Sequence, residues 1–319
     1  MSRRRSPSLG LALALALSFA CPTSVPAQNY PEHTVRIVVP FSAGSITDIM
    51  ARIVADEATM RWGQPVIVEN RPGPAGTASV ANAKPDGHTL LLTANAHTVA
   101  DVVNKDIAYD PIKDFAGVTR VASVPFLLIV NADLRAKDLG ALIALAKAKP
   151  GTLNISFAGT GGSSYIATQL FRQTAGMDIV PVPYRGGPEV VAAVLRGDAH
   201  MAFISVNLSK GLIDSGKVGA LAVATPARLA QVPAVPTFAE AGLKYVYDAW
   251  YGLLAPAGVP RPLLERINRD VVQTLRSPAV RGRFEQQVYL PVTDTPAEFD
   301  RILRDEAARY AQLLRDASK

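Results

Sequence analysis

Two turns rich in glycine and hydroxyl residues, Phe41-Ser42-Ala43-Gly44-Ser45 and Phe157-Ala158-Gly159-Thr160-Gly161-Gly162-Ser163-Ser164, each follow an apolar run and open a helical stretch. Small residues let a ligand approach the backbone. The first N–H groups of a helix lack intrahelical acceptors, so each turn can present donors and a positive dipole end to a carboxylate. A dicarboxylate or an amino acid could bridge the two turns. Helix-end electrostatics supplies roughly 0.3–1 kcal/mol per end, whereas micromolar binding needs about 8 kcal/mol. Most of the affinity must therefore come from direct hydrogen bonds in a closed, water-poor cleft.

Other residue sets carry less. In Pro183-Tyr184-Arg185-Gly186-Gly187, Tyr184 could cover a ligand, and Arg185 could pair with a carboxylate or point to solvent. His97 follows a strand end in Thr93-Ala94-Asn95-Ala96-His97 and could line a cleft. The loop from Gly159 to Ser164 resembles a dinucleotide fingerprint without its third glycine. Asp178, however, precedes the next strand instead of following it, which argues against a ribose-binding role. Gly161-Gly162-Ser163-Ser164-Tyr165 fails the nucleophile elbow at its last position. His33, His88, His97 and His200 show no zinc-binding spacing. No catalytic residues, metal or cofactor are expected.

Arg3, Arg4 and Arg5, the apolar run Leu9 to Ala20 and the small residues leading to Val25-Pro26-Ala27 read as an export signal over residues 1–27, with cleavage after Ala27. The run is too short for a comfortable membrane span, and no other segment reaches the roughly 20 apolar residues a spanning helix needs. A periplasmic location follows as the expectation. Cys21, the one cysteine, lies inside that signal, so the remaining chain has no disulfide or thiol chemistry; lipidation of Cys21 is the rival reading, against which Ser18-Phe19-Ala20 is a poor lipidation box. Losing the three arginines lowers the formal charge from +6 to +3. With no basic run in the mature chain, nucleic-acid binding is not implied.

The elements that must hold these turns are read from the apolar pattern. Strands are expected at Val35 to Pro40, Pro65 to Val68, Thr89 to Thr93, Phe126 to Val130, Asn154 to Phe157, Ile179 to Val182, Met201 to Ile204 and Gly219 to Ala224, alternating with helices. That order argues for α/β layers. Ser45-Ile46-Thr47-Asp48 fits a capping box before a helix carrying Ile46, Ile49, Met50, Ile53 and Val54, and Ser163 or Ser164 is expected to cap the second helix. Pro260 to Leu275 and Pro296 to Leu314 read as C-terminal helices.

Together these segments resemble the periplasmic solute receptors of tripartite tricarboxylate transporters, often called Bug receptors. The similarity runs through Phe41 to Asp48, Glu69-Asn70-Arg71-Pro72-Gly73, Pro85-Asp86-Gly87 with Thr89-Leu90, Tyr109-Asp110-Pro111 and Pro150-Gly151 with Leu153-Asn154. It continues through Gly159 to Ser164, Pro183 to Gly186, Ala220 to Val223, Val235-Pro236-Thr237 with Glu240 and Gly242, and Trp250 to Leu253 with Ala255-Pro256.

The resemblance implies an α/β, two-domain, type II-like periplasmic-binding fold with its ligand cleft between the domains. Two crossover strands near Ser123 to Phe126 and Tyr245 to Ala249 act as the hinge. Domain 1 is expected at 28–124 and 249–319, domain 2 at 125–248. Carried over by position, the contacts are Phe41, Ala43, Gly44 and Asp48 on one side and Gly159, Thr160, Gly161, Gly162, Ser163 and Ser164 with Tyr184 on the other. Ser45, Thr47, Thr93, Asn95, His97, Ala158, Arg185 and Ser205 complete the expected site. Two departures stand out: the family's usual Gly-Gly is Gly44-Ser45, and its common acidic residue after the Gly197 turn is His200. The implied function is capture of a small organic carboxylate by a monomeric receptor serving membrane transporter subunits. A sensor receptor with a signalling partner and an exported oxidoreductase are the alternatives.

Overall fold

A computed structural model describes residues 30–134, 136–159 and 162–317; the expected export signal with Cys21, and Thr160 and Gly161 of the second turn, lie outside the described residues. The strands form two sheets. The first contains β1 (Val35–Val39), β2 (Val66–Asn70), β3 (Thr89–Ala94), β4 (Phe115–Ser123), β10 (Trp250–Pro256) and β11 (Leu290–Pro291), in the order β11-β4-β10-β3-β1-β2. The second contains β5 (Phe126–Asn131), β6 (Asn154–Ala158), β7 (Val180–Tyr184), β8 (Met201–Ser205) and β9 (Val218–Val223), in the order β7-β6-β8-β5-β9. Central strands such as β3 and β8 are apolar and buried on both faces, the pattern of a sheet covered by helices on either side.

The helices are α1 (Ile46–Trp62), α2 (Pro74–Ala81), α3 (Ala100–Val103), α4 (Leu139–Ala148), α5 (Ser163–Ala175), α6 (Gly187–Arg196), α7 (Val206–Asp214), α8 (Arg261–Arg276), α9 (Pro278–Gln286) and α10 (Pro296–Ala317), with a 3-10 turn at Asn95–Val99. Among the described residues no helix is long and apolar enough to cross a membrane. The expected strands are present with ends shifted by one or two residues, while β4, β10 and β11 add to that pattern. Ser277 separates α8 from α9: its hydroxyl accepts from the Val280 amide at 3.2 Å and restarts the helix before Pro278 can continue the old one.

Strand pairing fixes where the loops point. In the first sheet β1 runs parallel to β2 and β3, and β10 is antiparallel to both β3 and β4, with Tyr251 opposite Ala94 and Trp250 opposite Ser123. The carboxyl ends of β1, β2, β3 and β4 therefore share one edge. In the second sheet β6 is parallel to β7 and β8, and Phe126 at the start of β5 lies opposite Ser205 at the end of β8. The carboxyl ends of β6, β7 and β8 thus also lie at the edge where the chain passes from β4 to β5. The return passage runs beside the outgoing one, since the Val124 amide donates to the Ala249 carbonyl at 3.0 Å.

The return segment from 224 to 249 has little regular structure yet is firmly anchored. Phe238 and Tyr245 bury their rings with Phe171 and Phe203, centroids 4.6–5.9 Å apart, and the Tyr247 amide bonds the Ala224 carbonyl at 2.9 Å. Each sheet with the helices packed on it forms one unit, and α10 packs on β4 of the first unit and also on α5 of the second.

Candidate functional site

The first turn is built around a buried carboxylate. Gly44 takes φ +79°, a conformation glycine adopts without strain, and its amide donates to Asp48 Oδ2 at 2.8 Å. Asp48 Oδ1 receives Asn70 Nδ2 at 2.9 Å and Arg52 at 2.9 Å, and Asn70 also donates to the Phe41 carbonyl at 3.2 Å. Burial alone would raise the Asp48 pKa, but the hydrogen bonds from Arg52, Gly44 and Asn70 outweigh it and hold it below the ordinary value. Ser45 caps α1 as expected, its hydroxyl accepting the Asp48 amide at 3.2 Å. The acidic member of the motif reaches back to Gly44 instead of to Ser45, because the left-handed turn brings that amide to the carboxylate. Among the described residues the Ile46 and Thr47 amides have no acceptor, and Ala43 and Gly44 are exposed.

The second turn is closed by its neighbours. The Gly159 amide donates to the Tyr184 carbonyl at 2.8 Å, linking this turn to the one after β7, and the Gly162 amide donates to the Gly159 carbonyl at 3.1 Å. The helix cap differs from expectation. Gly162 occupies that position without a side-chain bond, because Ser164 Oγ instead accepts the Ala158 amide at 2.9 Å and Ser163 Oγ donates to Asn95 Oδ1 at 2.7 Å. The Ser163 and Ser164 amides, on buried residues, have no acceptor among the described residues.

Asn95 is one of the places where the two units touch. Its Nδ2 donates to the Tyr247 hydroxyl at 2.7 Å and more weakly to the Asp248 carbonyl at 3.3 Å, and Tyr247 donates to the Ser163 carbonyl at 2.7 Å. The other expected residues divide. Thr93 and Ser205 are buried at strand ends on the facing edges, with Ser205 Oγ donating to Asn207 at 2.6 Å. Tyr184 is half-buried against the second unit's core, and the Arg185 side chain is exposed with no partner among the described residues. His97 is turned away from the edge into the first unit's core. Its Nε2 bonds the Pro111 carbonyl at 2.9 Å, its ring packs edge-on to Phe115, and burial lowers its pKa to about 4.

Folding brings together one set that spacing could not reveal: ligand atoms of His33, Asp86 and His88 lie within 4.8 Å of one another. His88 has both ring nitrogens engaged, with the Glu32 amide at 3.2 Å and the Asp86 carbonyl at 3.0 Å, and Arg36 and Lys84 line the same 280 Å³ depression. Two cations and an occupied imidazole do not suit a metal ion. A second depression, of 310 Å³, lies by Arg281 and Tyr289. Asp178 lies at the amino end of β7, opposite to the glycine turn, so the dinucleotide pattern has no ribose partner there.

Asn70, Tyr247 and Asp248 join these hydrogen-bond networks, although Asn70 entered the sequence reading only among the segments that carry the resemblance and Tyr247 and Asp248 only as hinge. The signal was a polar residue within a strand end or a tyrosine pair, which is common in structural positions as well.

The sequence profile described as "Tripartite tricarboxylate transporter family receptor" matches residues 50–318. Protein BugT of Bordetella pertussis is 33% identical over 314 residues, covering 97% of this chain and 95% of the relative. MatC from Rhodopseudomonas palustris, solved with bound malate, is 32% identical, with a TM-score of 0.79 over 89% of this chain and 99% of that one. A second R. palustris protein, solved with adipate, is 30% identical, with a TM-score of 0.81 over 91% of this chain and 98% of that one.

Proposed function

The chain belongs to the tripartite tricarboxylate transporter receptor family, a family of solute-binding receptors and not of enzymes, and from that premise we propose that it captures a small organic carboxylate, foremost a dicarboxylate, for membrane transporter subunits. The observation that carries this reading is the pair of helix starts at facing edges, α1 and α5, whose Ile46, Thr47, Ser163 and Ser164 amides have no acceptor among the described residues. Two such ends suit a ligand with two anionic groups. The relatives solved with malate and with adipate support the same class.

In this proposal the export signal over 1–27 is removed, the receptor works as a periplasmic monomer, and the lobes are 28–124 with 249–319 and 125–248. The ligand contacts are the expected residues on the facing edges, from Phe41 to Thr47 and from Ala158 to Ser164 with Tyr184, Arg185, Thr93 and Ser205. Asp48 and Asn70 brace the first turn from behind. Lobe closure removes water and strengthens the amide–carboxylate hydrogen bonds, and ligand at a hundredfold excess over Kd stabilises the fold by about 2.7 kcal/mol.

Thermal shift against malate, adipate, citrate, glutamate and benzoate tests this. A rise in Tm with the dicarboxylates is expected. A flat panel, together with no small molecule retained in native mass spectrometry, would overturn the reading.

A further inference from the structure

Three side chains from three separate segments form a closed hydrogen-bond ring beneath the proposed cleft. Asn95 Nδ2 donates to Tyr247 Oη at 2.7 Å, Tyr247 Oη donates to the Ser163 carbonyl at 2.7 Å, and Ser163 Oγ donates to Asn95 Oδ1 at 2.7 Å. All three residues are buried, with Asn95 at 0% exposure. Asn95 comes from the 3-10 turn after β3, Ser163 is the first residue of α5, and Tyr247 belongs to the return passage between the sheets. The ring therefore joins the first unit, the second unit and the crossover at one point.

Its chemistry is specific. A buried amide with both Nδ2 hydrogens engaged, one by the Tyr247 hydroxyl at 2.7 Å and one facing the Asp248 carbonyl at 3.3 Å, has no donor left for an anionic ligand. The groups around it are fixed as donor or acceptor in one sense only. Ser163 must donate to Asn95, so the orientation of the first turn of α5 is set from the opposite lobe.

We propose that Asn95 is a positioning residue: through Ser163 and Tyr247 it orients toward the cleft the Ser163 and Ser164 amides, which have no acceptor among the described residues, and it does so without touching the ligand. This rests on the reading of that helix start as a carboxylate site. Asn95 would then control affinity through the placement of donors and the persistence of the closed state.

The test compares Asn95→Ala, Asn95→Asp and Tyr247→Phe with the unmodified chain, using malate and adipate as probes and amide hydrogen exchange without any ligand. Loss of the ring should weaken binding roughly tenfold in Asn95→Ala and Tyr247→Phe, with the double variant no worse than about either single one because both break the same ring. Exchange at Tyr165 to Ala167 should speed up in both while β6 stays protected. Asn95→Asp keeps the shape and the acceptor for Ser163 but sets a carboxylate beside the helix start. It should lose anion binding more severely than the alanine variant, an effect of charge that a packing role would not produce.

Unchanged affinity and exchange in these variants would overturn the proposal. So would weakened binding with unchanged exchange, which would make Asn95 a direct contact. If neither acid binds the unmodified chain, the ligand reading fails, while the exchange arm still decides whether Asn95 orients α5.

Discussion

Gly44 and Asp48 are joined by a 2.8 Å hydrogen bond in which the glycine amide donates to the carboxylate. That bond changes the chemistry of the first turn. The amide that a glycine-rich loop would offer to an anion is already satisfied by the protein's own anion, and the donors without an acceptor among the described residues are those of Ile46 and Thr47. Asp48 thus acts as a resident carboxylate that holds the loop in shape.

Asp48→Asn should expose this role. The amide group can accept on one side only, so its NH₂ would face a donor from Gly44, Asn70 or Arg52. A cost of about 2 kcal/mol is expected for a buried position with an unmatched donor. Denaturant unfolding should show that loss, and calorimetry should show weaker binding of malate or adipate. Unchanged stability would mean the loop is held by its backbone alone.

Two glycines in the paired turns should respond to alanine for different reasons. At Gly44 a Cβ would meet nothing within 4 Å, so the penalty comes from φ +79° alone, about 1–2 kcal/mol. At Gly162 the conformation is ordinary, but a Cβ would sit 2.4 Å from the Ala158 carbonyl oxygen. The strand end or the helix start must then shift, at about 1–3 kcal/mol. Gly162→Ala should therefore abolish binding by displacing the Ser163 and Ser164 amides, whereas Gly44→Ala should mainly lower Tm. Equal binding losses in the two would contradict this assignment.

Much of this architecture can be read locally, and the gaps have a common cause. The strands β1, β3, β6 and β8 are short apolar runs whose burial the pattern alone predicts. β4 and β10 are harder because each carries a glycine, Gly117 and Gly252, and β4 also carries Arg120. Those glycines answer to a distant partner: a Cβ at Gly252 would lie 2.4 Å from the Phe299 ring on α10, and one at Gly117 would lie 2.9 Å from the same ring. Nothing near either strand announces that helix. At the site, residue types were legible and partners were not. Ser163 reads as a cap until Asn95 arrives from the other unit, and His97 reads as a cleft residue until Pro111 and Phe115 enclose it.

Val288 is the one described non-glycine residue with positive φ, at 55°, and it packs with the second unit's core although its neighbours pair with β4 of the first. Val288→Gly removes roughly 1–2 kcal/mol of backbone strain but forfeits about 1.5–3 kcal/mol of apolar burial and adds about 0.5–1 kcal/mol of chain entropy. The sum predicts a net loss of about 1.5 kcal/mol by chemical denaturation. A gain in stability would show that the contact between units contributes little there.

Two buried groups should tilt the pH dependence of stability in opposite directions. Burial raises the Glu306 carboxyl from 4.5 to about 7, against the hydrogen bond from Trp250 Nε1 at 2.7 Å; Asp248 pushes the same way as burial, and Arg309 and Arg120 oppose it. The folded state therefore holds that proton more tightly than the unfolded chain, so the contribution is complete below pH 4.5 and is lost as pH rises to about 7. His97 behaves in reverse. Its pKa falls from 6.5 to about 4, so its contribution is complete above pH 6.5 and is lost on acidification toward pH 4. Each effect is on the order of 3 kcal/mol at its limit. Between pH 4.5 and 6.5 the two slopes oppose each other, and the unmodified protein should show a shallow profile there. Glu306→Gln keeps an acceptor for Trp250 and should be more stable than the parent at pH 8, while becoming acid-sensitive below pH 6.5. His97→Gln keeps a donor for the Pro111 carbonyl and should leave the Glu306 slope alone, with stability falling as pH rises through 4.5 to 7. Parallel profiles for the parent and both variants, measured by urea unfolding across pH 4–8, would mean that neither group's pKa differs between the folded and unfolded states.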